Sequence, residues 1–261
     1  MTRHGFAIAS LLAVMGAPTA LIAEAACPEK SEHLLFHSCW GEARASSLLL
    51  PEDGPVPATA SGNAQERLIV TGGYTGKDAR AEARPNPVGM FIHKGSVVNP
   101  TLARMDGVAI LTPRGDLTIQ HRGALAFRGD RFDLGEIEQR QSFQQAAASA
   151  GVSIFQSHLL IVDGLLDIRP REDAPRAVRR LLFTDDQGFG IYQTDRPVTL
   201  YDAARAVEAA LSPDMVLNLD MGSFDYCLVT RGGVEQNCGV LARQNTSKLS
   251  NLLLLQLKPR G

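Results

Sequence analysis

The chain has 261 residues and a mass of 28.1 kDa, with 44% apolar and 21% charged residues. This composition is typical of a globular protein and excludes disordered, collagen-like and coiled-coil chains. Lys and Arg number 26 against 28 Asp and Glu, so the net charge of -2 provides no field that would hold a polyanion. We therefore expect no nucleic-acid partner. An aromatic content of 6% also argues against a stacking platform for single strands.

Residues 1–26 have the pattern of a cleaved secretory signal. Arg3 and His4 precede an apolar run over residues 6–22, and the small-residue segment Ala-Glu-Ala follows at 23–25. The run is short and is interrupted by Gly and Pro, which argues against a membrane anchor, and no second apolar span follows. We expect an exported protein, periplasmic or secreted, with no membrane span after signal cleavage.

The mature chain is predicted to have two parts. Residues 27–66 form an N-terminal segment with a disulfide and a loop, because residues 41–66 are rich in Gly, Ala, Ser and Pro. Residues 67–261 form one domain, in which short apolar runs alternate with turn residues.

Export gives the four cysteines a structural interpretation, because thiols in an oxidising compartment tend to pair. Cys27 and Cys39 are 12 positions apart, and Cys227 and Cys238 are 11 apart. Of the three possible connectivities, the spacing favours these two local bridges.

Motifs for metal or cofactor chemistry are incomplete. His33 and His37 have i, i+4 spacing but lack the glutamate and third ligand of a zinc site. Residues 71–77 lack the first glycine of a phosphate-binding loop. What remains there is the pair Gly72 and Gly73 after a strand, which permits either a tight turn or close approach of backbone N–H groups to a ligand. We expect no metal and no cofactor.

The pattern predicts one α+β domain with a central mixed, largely antiparallel sheet and two main helices. We expect Asp133 to cap the first helix, with Glu136 as the acidic residue of its first turn, and the helix to end near Ala150. The second helix is expected to span residues 199–211, with Thr199 as its cap. Turns at 113–116 and 185–188 predict antiparallel hairpins. Strands are expected at residues 68–71, 88–93, 108–112, 117–121, 181–184, 215–219, 226–230 and 252–257.

Polar residues follow or precede two of these strands. Asn218, Asp220 and Gly222 stand at the end of the strand over 215–219, where they form either a ligand-binding group or an Asx turn. Arg179 and Arg180 precede the strand over 181–184, where they are either a solvated pair or an anion contact.

The order of these motifs resembles the phosphodiester glycosidase family. The matching features are the double glycine, Asn-Pro-Val-Gly-Met-Phe-Ile-His-Lys-Gly at 86–95, Gln-Ser at 156–157, arginine before a strand, Pro-Val-Thr-Leu-Tyr at 197–201, and Asn-Leu-Asp at 218–220. The resemblance covers residues 67–258. It implies an exported hydrolase that cleaves a sugar from a phosphodiester at the anomeric centre, with a glycan or sugar phosphate as its ligand.

The resemblance also implies roles for individual residues. Asp220 would supply the catalytic carboxylate and Arg179 the contact to phosphate. The remaining candidates would shape the substrate pocket: Gly72, Gly73, Gln156, Ser157, Asn218 and Gly222. The sequence does not indicate an oligomeric state.

Five positions depart from the family's pattern. Thr71 replaces an asparagine, His158 follows Gln-Ser where Gly-Pro is usual, Met221 replaces a glycine, and Phe224 and Asp225 replace two serines. Loss of the hydroxyls removes contacts to phosphate or sugar, and a carboxylate at 225 would repel phosphate. These departures motivate a second hypothesis, a non-catalytic member of the same fold that binds an envelope glycan, a glycolipid head group or another exported protein.

Overall fold

The computed structural model describes residues 26–49, 53, 66–76 and 85–258. The predicted signal peptide therefore lies outside the described residues, apart from its last position. None of the described helices is long and apolar enough to cross a bilayer.

The described residues form an α+β fold with two α-helices, α1 (Ile137–Ala150) and α2 (Leu200–Leu211). This confirms the predicted class, and every strand pair within the described ranges is antiparallel. The strands are β1 (Leu34–His37), β2 (Glu42–Leu49), β3 (Glu66–Thr71), β4 (Phe91–His93), β5 (Ser96–Asn99), β6 (Gly107–Leu111), β7 (Leu117–His121), β8 (Leu125–Phe127), β9 (Asp130–Phe132), β10 (Ser153–Ser157), β11 (Leu159–Val162), β12 (Leu165–Leu166), β13 (Arg180–Asp185), β14 (Gly188–Gln193), β15 (Met215–Asn218), β16 (Cys227–Arg231), β17 (Val234–Asn237) and β18 (Asn251–Lys258).

The strands divide among three main sheets rather than one. The first has the order β1-β14-β13-β15-β11-β12, the second β5-β4-β10-β6-β7, and the third β17-β16-β3-β18-β2, while β8 and β9 form a separate ribbon. The predicted hairpins are confirmed as β6–β7 and β13–β14.

The three sheets share one apolar core and each has a second buried face. Phe36, Phe155 and Leu255 bring the first, second and third sheets into the same cluster of buried side chains. Helix α2 covers the outer face of the first sheet, and α1 covers that of the second. Strands buried on both faces read as continuous apolar runs, which is why the run in β18 correctly predicts a central strand between β3 and β2.

The helix ends agree with the sequence in part. Thr199 caps α2 by accepting the Asp202 N–H at 3.0 Å, and Gly151 ends α1 in the left-handed region at φ 65°. The prediction that Asp133 caps α1 is wrong. The Asp133 carboxylate instead accepts the Gly135 N–H at 2.8 Å in an Asx turn, and Glu136 occupies the cap position with no side-chain hydrogen bond.

The loop predicted over residues 41–66 is wrong for its first part. Residues Glu42–Leu49 form β2, which pairs along its whole length with β18. Ala45, Ser47 and Leu49 alternate inward, a period of two that the small and polar side chains obscured in the sequence.

Both local disulfides are confirmed. The Cα atoms of Cys27 and Cys39 are 6.0 Å apart, and those of Cys227 and Cys238 are 4.9 Å apart. The first bridge holds the N-terminal segment beside β1, and the second joins β16 to the residue that follows β17.

His37 is a buried structural residue. Its Nδ1 accepts the Cys39 N–H at 3.1 Å, and its Nε2 lies 2.9 Å from an Asp185 carboxylate oxygen. Both ring nitrogens of His37 are therefore engaged with protein groups.

Candidate active site

The predicted site lies where the first and third sheets meet. Asn218 ends β15, and two residues later the Asp220 N–H donates to the Gly72 carbonyl just beyond β3, at 3.1 Å. Topology therefore brings the strand-end acid and the double glycine together, although 148 positions separate Gly72 from Asp220.

Asp220 is a buried carboxyl with an altered acidity. Its side chain accepts the Thr75 N–H at 2.8 Å and the Met221 N–H at 3.0 Å, and the residue is 5% exposed. Burial raises the pKa of Asp220 to about 6, against the lowering effect of those N–H donors, and the charge of Asp225 raises it further. A carboxyl that titrates there can exchange a proton near neutral pH.

Tyr74 connects the predicted residues to one another, and sequence reasoning missed it. Its hydroxyl accepts a hydrogen bond from the Asn218 amide at 2.5 Å, and its ring meets His158 edge to face at 5.7 Å. Burial raises the pKa of Tyr74. The Asn218 hydrogen bond opposes the rise, the nearby charge of Asp220 adds to it, and that of Arg179 opposes it. The available signal was an aromatic residue immediately after the double glycine.

Arg179 and Arg180 have different environments despite being neighbours. Arg179 is half-buried and donates to the Pro175 carbonyl at 2.7 Å and to the Val198 carbonyl at 3.3 Å. Within the described part of the chain no carboxylate forms a salt bridge with it. Burial lowers the pKa of Arg179, and Tyr74 opposes this only in its ionised form. Its charge is available to an anionic ligand.

Arg180 is fully buried and fully engaged. It donates to an Asp225 carboxylate oxygen at 2.6 Å and twice to the Gln193 side-chain oxygen, at 2.6 and 3.0 Å. Asp225, predicted to repel phosphate, is thus neutralised by an internal partner.

We call Tyr74, Arg179, Asn218 and Asp220 the Tyr74 cluster, and Arg180, Gln193 and Asp225 the Arg180 cluster.

The double glycine is held by packing. The Asn251 amide accepts the Gly73 N–H at 2.8 Å and donates to the Gly73 carbonyl at 3.0 Å. A Cβ at Gly72 would lie 2.5 Å from the Asn251 side-chain oxygen, and one at Gly73 would lie 3.2 Å from Phe155. The sequence left two uses open for these glycines, a tight turn or a close approach of backbone N–H groups to a ligand. The close approach found here is to the side chains of Asn251 and Phe155, and the Gly73 N–H is already bonded to Asn251.

Gln156 and Ser157 are bonded to different parts of the molecule, and of their side-chain hydrogen bonds within the described residues only that of Ser157 reaches a residue of the site. The Gln156 side chain accepts the N–H groups of Met90 and Ala103, at 2.8 and 3.0 Å, and donates to the Met105 carbonyl at 2.8 Å. The Ser157 hydroxyl donates to the Asn218 carbonyl, which fixes the end of β15. Both are fully buried.

Two further predicted residues differ in exposure. Asn218 is 1% exposed. Its amide nitrogen donates to the Leu219 carbonyl at 2.9 Å as well as to Tyr74, and its Oδ1 has no partner among the described residues. Gly222 is exposed with φ +76°, a conformation that suits glycine.

Two of the departures from the family's pattern, Thr71 and Phe224, contact each other. The Thr71 hydroxyl donates to the Phe224 carbonyl at 2.6 Å and accepts the Tyr226 N–H at 2.9 Å. Phe224 packs partly against the outer apolar cluster of the third sheet, so only part of its ring is free. Thr71 and residues 221–225 thus form one unit, and Arg180 anchors it through Asp225.

The comparisons with known proteins found low-identity structural matches. One is the catalytic domain of zebrafish N-acetylglucosamine-1-phosphodiester alpha-N-acetylglucosaminidase auto-inhibited by its pro-peptide, with 16% identity, a TM-score of 0.43, and coverage of 74% of this chain and 63% of that chain. A hypothetical protein from Synechocystis matches at 12% identity and a TM-score of 0.47, covering 83% of this chain and 57% of its own. A putative exported protein from Burkholderia pseudomallei matches at 12% identity and 0.47, covering 82% and 71%.

The chain thus spans less than two thirds of the length of the first two structures. No family model matches this chain. No curated protein matches it either. At these identities and TM-scores we base no functional conclusion on the likeness.

Proposed function

We propose that this protein is an exported hydrolase that cleaves a sugar from a phosphodiester at the anomeric carbon. The observation that carries the proposal is the buried carboxyl of Asp220, whose pKa is raised to about 6, within the same cluster as Arg179. A proton-exchanging acid, together with an arginine that forms no salt bridge among the described residues, matches what hydrolysis of an anionic glycoside requires. The motif order resembling phosphodiester glycosidases supports the same substrate class.

Asp220 acts as the base in this proposal. The leaving group is a phosphate monoester with a second pKa of about 6, so it departs without strong acid assistance, whereas the attacking water must lose a proton. The water oxygen bonds to the anomeric carbon, the bond from that carbon to the phosphate oxygen breaks with its electron pair on phosphate, and the water proton passes to Asp220. Arg179 stabilises the departing anion.

The two disulfides and the predicted signal peptide support an extracytoplasmic location for this reaction. Four of the polar groups predicted to shape the pocket are already bonded within the protein: the Gly73 N–H, the Gln156 amide, the Ser157 hydroxyl and the Asn218 amide. That observation favours a second candidate function, binding of a glycan or an exported protein without turnover.

A single assay separates the two candidates. Purified mature protein is incubated with methyl diesters of hexose and N-acetylhexosamine 1-phosphates, and both free sugar and saturable binding are measured. Hydrolysis is expected to fall about tenfold for each pH unit below 6, because the base becomes protonated. Asp220→Asn is expected to abolish hydrolysis, with Asp214→Asn as the matched control.

Hydrolysis that survives in Asp220→Asn contradicts the catalytic assignment. Saturable binding without hydrolysis, retained in that variant, supports the binding function instead.

A further inference from the structure

The hydroxyl proton of Tyr74 has no acceptor among the described residues. The Tyr74 oxygen accepts the hydrogen bond from the Asn218 amide, so its own O–H points elsewhere, and no acceptor for it occurs among the described residues. A phenol in a half-buried position normally satisfies its donor. Within the described ranges, Tyr74 is therefore a hydrogen-bond donor without an acceptor, next to the predicted base.

The backbone around Tyr74 is fixed on both sides. The preceding Gly73 is bonded through both backbone groups to Asn251, and the following Thr75 N–H donates to Asp220 at 2.8 Å. The Tyr74 carbonyl accepts the Val88 N–H at 2.7 Å. A donor held in this way needs little reorganisation to meet a developing charge.

The side chain of Tyr74 is fixed as well. His158 meets its ring edge, and Asn218 is itself held through its amide bond to the Leu219 carbonyl and through the Ser157 bond to its own carbonyl. A phenol with its ordinary pKa of about 10 is already protonated at neutral pH, and burial raises the pKa of Tyr74 further. Tyr74 therefore remains a hydrogen-bond donor under the conditions in which Asp220 is ionised.

We infer that the Tyr74 hydroxyl donates a hydrogen bond to the phosphate oxygen that leaves the anomeric carbon. This inference rests on the proposed function and adds a second group to the leaving side of the reaction. Arg179 neutralises the departing phosphate by charge, while Tyr74 meets one oxygen directionally. Asn218, a predicted substrate contact, acts instead as a positioning residue, because its amide orients the phenol. The hydrogen bond strengthens as negative charge develops, so it acts in the transition state more than in the bound substrate.

The test is Tyr74→Phe, which keeps the ring and its contact with His158 and removes only the donor. We expect kcat for the methyl diester of an N-acetylhexosamine 1-phosphate to fall about 100-fold, with KM within about threefold of the wild type. The loss of rate below pH 6 is expected to persist, because Asp220 is still the base. Tyr226→Phe is the matched control, since it removes a buried hydroxyl that has no partner among the described residues.

The outcomes separate this inference from the proposed function. If the wild type hydrolyses the diester and Tyr74→Phe retains kcat within twofold, Tyr74 is structural and the inference is wrong, while the proposed function stands. An increase in KM with unchanged kcat also overturns it, because the contact would then act on bound substrate. If the wild type does not hydrolyse any of the diesters, the proposed function fails and the inference fails with it.

Discussion

The Arg180 cluster and the Tyr74 cluster lie side by side at the end of β15, and they differ in how completely their polar groups are bonded. Arg180 reaches Asp225 and Gln193 through short hydrogen bonds, and its residue is fully buried. In the Tyr74 cluster, the phenol proton and the Asn218 Oδ1 have no partner among the described residues. Buried polar groups that are fully paired serve architecture, whereas unpaired ones beside a shifted carboxyl indicate chemistry.

The contrast also changes the meaning of the departures from the family's pattern. Asp225 does not face a ligand as a free charge, because Arg180 holds it. Thr71 is bonded to the same loop through Phe224 and Tyr226. Thr71, Phe224 and Asp225 are thus held by contacts within the protein next to Asp220, which keeps its own N–H donors.

The largest expected effect comes from breaking the Arg180 cluster. Arg180→Met leaves the Asp225 carboxylate buried without its partner, which should lower the free energy of unfolding by about 4 kcal/mol. Urea denaturation at pH 7 measures this. The double variant Arg180→Met with Asp225→Leu removes both charges and should recover most of the loss. A decrease below about 1 kcal/mol in the single variant would mean that the ion pair does not stabilise the fold.

The next effect is the pH dependence that Asp220 gives to stability. Its pKa of about 6 in the folded protein exceeds the ordinary value of about 3.9, so the folded state holds the proton more tightly than the unfolded chain. Its contribution is fully present below about pH 4 and is lost as pH rises through 6, a decrease of about 3 kcal/mol.

Asp220→Asn removes that titration. The difference in unfolding free energy between wild type and variant should therefore change by about 3 kcal/mol between pH 4 and pH 7, with the wild type favoured at the acidic end. Urea denaturation at several pH values measures this difference. A difference that is independent of pH would show that Asp220 titrates normally and is not a base poised near neutrality.

A smaller effect is expected at Thr71, which joins β3 to the altered loop. Thr71→Val removes the hydroxyl that bonds Phe224 and Tyr226 and should cost about 1 to 2 kcal/mol. Thr118→Val, at an exposed position on β7, is the control and should change stability by less than about 0.5 kcal/mol. Equal effects at the two positions would mean that Thr71 does not hold the loop.

The sequence predicts those parts of the fold that depend on local patterns. Cysteine spacing correctly predicts both disulfides, and the Thr199 cap and apolar stripe correctly predict α2. It fails for β2, because small and polar side chains such as Ala45 and Ser47 face inward only once β18 pairs with that strand. The division into three sheets is likewise set by pairings between distant strands.

For the site, the sequence predicts the residue types at strand ends but not which of their polar groups are free. Arg179 and Arg180 are equivalent as a dipeptide, and only the alternation of β13 turns the second one inward toward Asp225. The motif predicts Gln156 as a ligand contact, yet its amide is hydrogen-bonded to three backbone groups. Tyr74 enters the site only because β3 and β15 end together. A side chain's remaining hydrogen-bonding capacity depends on tertiary contacts, and this is what the sequence does not contain.

The smallest effect on stability, and the sharpest test of the comparison, is expected at Arg179. The half-buried guanidinium donates to the Pro175 and Val198 carbonyls, and methionine can retain the packing of its stem, so Arg179→Met should change the free energy of unfolding by less than about 1 kcal/mol. Its charge should matter for the reaction instead. Because Arg179 stabilises the departing phosphate, loss of a charged hydrogen bond of about 1.5 kcal/mol lowers kcat/KM for the methyl diester about tenfold. The decrease of kcat/KM with salt should also weaken, because one screened attraction has been removed. Arg176→Met, an exposed arginine 3.8 Å from Asp202, is the matched control and should leave kcat/KM and its salt dependence unchanged. If Arg179→Met instead destabilises the protein by as much as Arg180→Met and leaves kcat/KM unaltered, both arginines serve architecture, and the contrast between the two clusters is wrong.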